Sequence, residues 1–180
     1  MQAQGVNFTG AAGDAAGQEE WKERTIQVRR VTKVVKGGKK MSFRAVVVIG
    51  NGNGIVGLGV GKAGEVATAV QKAITEAKKE LVTVPIHKKT IPHVVKSKAC
   101  GSQILIRPAS EGTGVIAGGA ARAVFELAGI HNILCKSLGS NSPLNVARAA
   151  INSLKDLRSF DDIAASRGMS TRQMLMVAAQ

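Results

Sequence analysis

Tyrosine is absent from this chain, and four phenylalanines with one tryptophan supply its only aromatic rings. Recognition of single strands by stacking bases on exposed rings therefore has little to work with. Cysteine is scarce too: Cys100 and Cys135 are too few for a disulfide framework and suggest free thiols in a reducing compartment. His87, His93 and His131 stand far apart, with no Gly-x-Ser-x-Gly turn, no His-Glu-x-x-His helix and no paired cysteines. Catalytic residues, metal ligands and cofactors are thus not expected. No apolar stretch approaches the ~20 residues that span a bilayer, so no membrane partner is expected either. Residues 1–18 lack the basic start and apolar block of a secretory signal, and also the Ser and Arg of an organelle transit peptide.

The most informative absence is of acids. Between Glu23 and Glu65 there is no Asp or Glu, yet the segment carries Arg24, Arg29, Arg30, Lys33, Lys36, Lys39, Lys40, Arg44 and Lys62. These cations are woven through β-type sequence, and their centre is the turn Lys36-Gly37-Gly38-Lys39-Lys40. A folded surface of one sign needs a polyanion to offset its self-repulsion, and nucleic acid is the usual one. The net charge of +13 is uneven: residues 1–100 hold 17 basic and 7 acidic side chains, residues 101–180 hold 8 and 5. Some of these cations will simply be solvated.

With 180 residues, 44% of them hydrophobic, the chain can bury a real core and could hold two small domains. Residues 1–18, rich in Gly, Ala and Gln, read as a disordered or partner-ordered arm. A short helix is expected around Trp21, then a strand through Ile26, Val28 and Val31 with a bulge at Arg29-Arg30. Gly37-Gly38 supplies a tight hairpin turn, and Phe43–Ile49 returns as a central strand. Asn51-Gly52-Asn53-Gly54 is a second hairpin turn. On the third strand Val56, Leu58 and Val60 share one face, while Gly57, Gly59 and Gly61 leave the other bare for a close neighbour. Three- and four-residue apolar spacing predicts a helix from about Glu65 to Val82.

Val84–Lys98 reads as linker with irregular strand. Beyond it a strand at Ser102–Ile106, a glycine-rich loop at Ser110–Gly119 and a helix at Ala120–Ala128 are expected, with Gly129 closing the helix. A strand at Asn132–Leu138 and a helix from Leu144 to about Leu157, opened by Asn141-Ser142-Pro143, follow. Shorter helices at Phe160–Arg167 and Thr171–Val177 complete the chain. The domain reading is an arm over 1–18, a first domain over 19–84, linker and strand over 85–101, a second domain over 102–168 and a helical tail over 169–180.

Two glycine motifs invite a nucleotide. Gly59-x-Gly61-x-x-Gly64 follows a strand and opens a helix, but antiparallel hairpin strands precede it and no ribose-binding acid follows a second strand. A Walker-type loop fails as well, because Ala63 stands where a Ser or Thr should follow Lys62. Close helix–sheet packing explains these glycines better. Ser110–Ala120 leads into a helix start whose N–H groups could cradle a phosphate, and a loop shaped by packing alone is as good a reading.

Four segments in order resemble one family closely: Val31–Gly38, Val56–Ala63, Arg107-Pro108-Ala109 with Gly112–Gly119, and Leu138–Asn145. They resemble small-subunit ribosomal protein five of bacteria over about Trp21 to Gly168. Arg29-Arg30-Val31 with Lys39-Lys40 is most similar to cyanobacterial and plastid members. The resemblance implies an α+β fold. Its first part would be a double-stranded-RNA-binding-like domain, a three-stranded antiparallel sheet with one helix, and its second an α/β two-layer sandwich. It implies a non-enzymatic part of the small ribosomal subunit at the junction of body and head, in plastid stroma or a cyanobacterial-type cytoplasm. Expected partners are 16S-type ribosomal RNA, messenger near the entry channel, and small-subunit proteins four and eight, with a role in decoding accuracy. The expected RNA-binding residues are Arg24, Arg29, Arg30, Thr32, Lys33, Lys36, Gly37, Gly38, Lys39, Lys40, Arg44 and Lys62, with Arg30 near the messenger. Gly118, Gly119 and Arg122 would lie toward protein four. A free-standing duplex-RNA regulator and a nucleotide-dependent enzyme are the competing classes.

Overall fold

Beyond Trp21, which is not helical, β-branched sequence carries the chain straight into β1 (Lys22–Val35). It pairs antiparallel with β2 (Gly38–Gly50), which pairs in turn with β3 (Ile55–Ala63). The computed structural model describes residues 21–173, so the expected arm over 1–18 and most of the expected Thr171–Val177 helix lie outside the described residues. The bulge falls between Thr25 and Gln27, earlier than Arg29-Arg30. The extra residue there, Ile26, is turned against the core, and from Gln27 onward the ladder is regular.

Helix α1 (Val66–Ala77) crosses the sheet with Ala69, Ala73 and Ala77 fully buried at four-residue steps. These small residues face the bare side of β3. A Cβ on Gly59 would come within 2.7 Å of the Ala77 nitrogen, one on Gly61 within 2.6 Å of the Ala73 nitrogen, and both would overlap helix carbonyl oxygens. Gly57, Gly59 and Gly61 therefore exist to let the helix backbone settle on the strand. Gly59 and Gly61 of the dinucleotide fingerprint are thus accounted for by this packing, while Gly64 stands open.

The helix stops at Ala77, short of the expected Val82. Leu81, placed by its spacing in the helical stripe, belongs instead to β4 (Leu81–Thr83), which pairs with Ile55–Gly57. By Ala77 the helix has run the length of β3, and the β-branched Val82-Thr83-Val84 favours extended chain. The first sheet thus gains a short fourth strand, in the order β1-β2-β3-β4.

The second sheet is built from β5 (Val95–Ala99), β6 (Ser102–Pro108), β7 (Val115–Ile116) and β8 (Ile133–Gly139), in the order β5-β6-β8-β7. β7, inside the expected glycine loop, pairs parallel with β8; the other pairs are antiparallel. Helices α2 (Gly119–Ala128) and α3 (Pro143–Lys155) cover one face of it, and α4 (Phe160–Ser166) begins with a capping box between Ser159 and Asp162. The α+β class and both sheet-and-helix units agree with the sequence.

The layers stack in four: α1, the first sheet, the pair α2 and α3, then the second sheet. Val46, Val47, Val48 and Ile49 are all buried because the first sheet is covered on both faces. The smaller core joins Ala45, Val47 and Ile49 to the alanines of α1, with Trp21 at its rim. The larger one is continuous between the halves: Val48, Val56, Val82 and Val84 pack with Phe125, Ile130, Val146 and Leu154.

Gly59→Ala adds one methyl where helix backbone already lies, and we expect it to cost about 1–3 kcal/mol of unfolding free energy or more. Gly64→Ala, where an added Cβ would meet nothing within 4 Å, is the matched control and should be near neutral. Denaturant melts of the two variants against the parent decide it; equal stability would mean the helix does not sit on the strand.

Candidate nucleic-acid interface

β3 ends opposite Phe43, so Val31–Val35 and Gly38–Ser42 run on past the sheet as a two-stranded ribbon. Five residues per strand at ~3.4 Å each make an arm of roughly 17 Å. Nothing in it is buried: Val34 is 73% and Met41 56% exposed. A two-stranded hairpin alone is at best marginally stable in water, so the ribbon depends on the sheet whose ladder it continues.

The register sorts the cations onto both faces. Arg29, Arg44 and Lys62 form one row across β1, β2 and β3, and Lys33 stands opposite Lys40 farther out on the same side. Arg30, Thr32 and Lys39 project from the opposite, α1 side. Lys36 and Gly37 make the tip, and Gly38 takes a φ of +127°. The turn is therefore centred one residue before Gly37-Gly38, and both glycines are open to the outside. Like charges directly opposite on a ladder are destabilising. Here there are three such pairs, Arg29–Arg44, Arg44–Lys62 and Lys33–Lys40, and among the described residues none of these cations has an acidic partner.

Arg24 differs from the rest. It lies before the bulge on the face toward α2, where its guanidinium is ion-paired with Glu126. Glu126 also meets Arg122 at 3.6 Å, and Arg122 Nη2 donates to the Val115 carbonyl at 2.8 Å. Arg24 therefore joins the two halves and stands apart from the ribbon cluster. Gly118 and Gly119 begin α2 with no neighbour near their would-be side chains, beside a cleft of about 440 Å³ also lined by Arg24, Ile26 and Asn141.

Sequence reading missed Lys72 and Lys79 as site candidates. With Lys62 and Glu76 they line a second groove of about 520 Å³, where Lys79 pairs with Glu76 at 3.6 Å. Their outward direction was legible in the apolar stripe, but their approach to Lys62 depends on the crossing of α1 over β3. The Ser110–Gly119 loop spends some of its donors internally: the Gly114 N–H donates to Asn132 Oδ1 at 3.1 Å and the Thr113 N–H to the Ser110 carbonyl at 3.3 Å.

Among the described residues no group of three His, Cys, Asp or Glu side chains is placed to hold a metal, and no helix is long and apolar enough to cross a membrane. His87 packs edge-on against Phe160, and His93 Nε2 accepts the Arg158 N–H at 3.2 Å. Cys100 is exposed; Cys135 is half-buried, and burial pushes its thiol up to about 11.

Comparison with known families and proteins finds matches along nearly all of the described chain. Residues 21–85 match the family described as ribosomal protein S5, N-terminal domain, and residues 97–167 match ribosomal protein S5, C-terminal domain. The chain is 57% identical over 155 residues to the small ribosomal subunit protein uS5 of Synechocystis sp., covering 86% of this chain and 90% of that one. It is 58% identical over 158 residues to uS5 of Picosynechococcus sp., covering 87% and 91%. It is 54% identical over 155 residues to uS5c of Rhodomonas salina, covering 86% and 92%.

Replacing Lys36, Lys39 and Lys40 together with Ala should weaken binding to every duplex RNA tried. The salt dependence should become shallower by up to ~0.9 in log–log slope for each phosphate no longer neutralised. Arg24→Ala, whose charge is already engaged by Glu126, should leave that slope unchanged. Affinities measured from low to moderate salt provide the check; an unaltered slope in the triple variant would remove the ribbon from the interface.

Proposed function

The chain belongs to the ribosomal protein S5 family, structural components of the small ribosomal subunit that take part in translation, and from that premise we propose how its two halves divide the work of assembly. It is not an enzyme, in keeping with relatives that are named ribosomal proteins. The first half binds 16S-type ribosomal RNA. Its ribbon lies among phosphates, with Arg29, Arg44, Lys62, Lys33 and Lys40 meeting backbone on one side and Arg30, Thr32 and Lys39 on the other. Lys36, Gly37 and Gly38 reach deepest.

One observation carries this reading. The ribbon projects past the sheet with cations on both faces, buries nothing, and has no acid among residues 24–64. Phosphate contacts of this kind position a protein without reading sequence, which suits a chain so poor in aromatic rings. Family resemblance supplies the setting: the junction of body and head, Arg30 near the incoming messenger at the entry channel, and an influence on decoding accuracy. It also supplies the protein neighbours, four and eight, with the open Gly118-Gly119 helix start beside Arg122 turned toward protein four. The ribosome in question is that of a cyanobacterial-type cytoplasm or a plastid stroma, matching the sources of the relatives. The domain limits proposed from sequence, 19–84 and 102–168 with linker and strand over 85–101, mark the RNA-facing and protein-facing halves.

Lys96 and Lys98 lie in the first hundred residues but fold onto the second sheet. This narrows the charge difference between the halves without removing it. In an assembled small subunit, residues 21–94 should make most of the phosphate contacts and residues 95–173 most of the protein contacts. A density map of the particle, with each half's neighbours identified as RNA or protein, provides the measurement. Equal density of phosphate contacts in both halves would overturn the division.

A further inference from the structure

The outer edge of β3 is only partly used. β4 pairs with Ile55, Val56 and Gly57 and ends there, so among the described residues no strand lies beside the second half of β3. Two bonds fix the phase of that edge. The Val84 N–H donates to the Gly54 carbonyl on the β4 side, and the Asn51 N–H donates to the Ile55 carbonyl on the β2 side. In antiparallel pairing a residue turns both backbone groups to the same neighbour, and the direction alternates along the strand. Leu58, Val60 and Lys62 therefore face outward, and at Val60 and Lys62 an N–H and a C=O stand with no strand to meet them. Beside this edge runs α1, which Gly59 and Gly61 let settle close. Its Thr68, Gln71, Lys72, Thr75 and Glu76, with Lys79 just past its end, form the other wall of the groove. Thr68 to Lys79 spans about 16 Å of helix, and Leu58 to Lys62 roughly 17 Å of strand. The two walls match in length.

From this geometry we propose that the groove takes an extended, acidic segment of a partner polypeptide, added to the free edge of β3 in line with β4. A strand laid between a sheet edge and a helix draws affinity from main-chain hydrogen bonds and selectivity from alternate side chains. Every residue of such a segment brings one donor and one acceptor, which the outward groups of Val60 and Lys62 require. Every second side chain turns toward the α1 wall. Lys79 is already answered by Glu76 at 3.6 Å, whereas Lys72 has no acidic partner among the described residues, so the cation to be matched is Lys72. Asp or Glu on the incoming strand supplies the opposite sign. An RNA backbone is the weaker occupant: phosphates offer nothing to the two carbonyls, and Glu76 repels them from within the groove. The Lys62 side chain stands in the row with Arg29 and Arg44, so phosphate contact by that row and strand addition at this edge do not compete.

Amide hydrogen exchange of the full chain, followed by NMR with and without an excess of an eight-residue peptide of alternating Glu and Val, tests this. The Val60 and Lys62 amides should exchange at least tenfold more slowly with the peptide present, while those of Val31–Ser42 stay as they were. Two further peptides, N-methylated at every Glu or at every Val, keep the charge. One should still protect and the other should not, because only one phase leaves its N–H groups facing β3. Lys72→Glu, at an exposed helix position where the parent fold is expected to persist, should weaken the peptide at least tenfold. No protection at Val60 and Lys62, equal action of the two methylated peptides, or full affinity in the Lys72 variant would each overturn the proposal. Slow exchange of both amides in the chain alone would overturn it too, with residues 1–20 of this chain as the occupant to look for. Equal protection by duplex RNA would do the same. None of these outcomes touches the salt slope of the Lys36, Lys39 and Lys40 variant, on which the RNA reading stands.

Discussion

The final carbonyls of α2 have no partners inside their own helix, and the turn between β2 and β3 supplies them. The Gly52 N–H donates to the Leu127 carbonyl at 3.0 Å and the Gly54 N–H to the Ala128 carbonyl at 2.9 Å. This junction tolerates no side chain. A Cβ on Gly129 would come within 2.5 Å of the Gly52 carbonyl carbon, and one on Gly50 within 2.7 Å of the Leu127 carbonyl carbon. Each bond adds only about 0.5–1.5 kcal/mol net, but burying those carbonyls unpaired would cost more. Around it lies the larger core, which takes Val48 and Val56 from one sheet and Ile104 and Ile106 from the other. The two halves are joined by packing, by backbone and by the Arg24–Glu126 ion pair.

A rigid junction has a functional consequence. The ribbon extends from the first sheet and the open face belongs to the second, so anchoring either one aims the other. The ribbon concentrates like charge where little apolar burial can hold it together. The shared core stabilises a base from which that repulsion can be carried. Cys135 and the helices α2 and α3 contribute by packing into the larger core.

Much of the first half was legible because its signals are local. Alternating valines with Gly-Gly and Asn-Gly turns gave the hairpins, and three glycines on one strand face announced a close neighbour, which proved to be Ala69, Ala73 and Ala77 of α1. β4 and β7 were missed because strands of three and two residues are too short to show a period. Leu81 fitted the helical stripe by spacing, and only its pairing with Gly57 assigns it to a strand. The bulge was misplaced because the charge pair Arg29-Arg30 disturbed the alternation, whereas the irregular residue is the apolar Ile26 drawn toward the core. The separation of Arg24 from the other cations depends on Glu126, 102 residues away, which no local pattern reveals. The stacking of the two halves through one core was hidden for the same reason, although the unbroken run Val46–Ile49 already required cover on both faces.

Equilibrium unfolding followed at two sites tests the rigid junction most directly. Trp21 fluorescence reports the first half, since this tryptophan sits at the rim of the smaller core. Alkylation of Cys135 near pH 8, in a chain carrying Cys100→Ser because Cys100 is exposed, reports the second, since burial keeps the Cys135 thiol protonated, with a pKa pushed to about 11, until the second sheet opens. With one shared core, the two probes should trace a single transition with the same denaturant midpoint. Two separated transitions, with Cys135 reacting while Trp21 remains native or the reverse, would contradict the single body from which both surfaces are said to project.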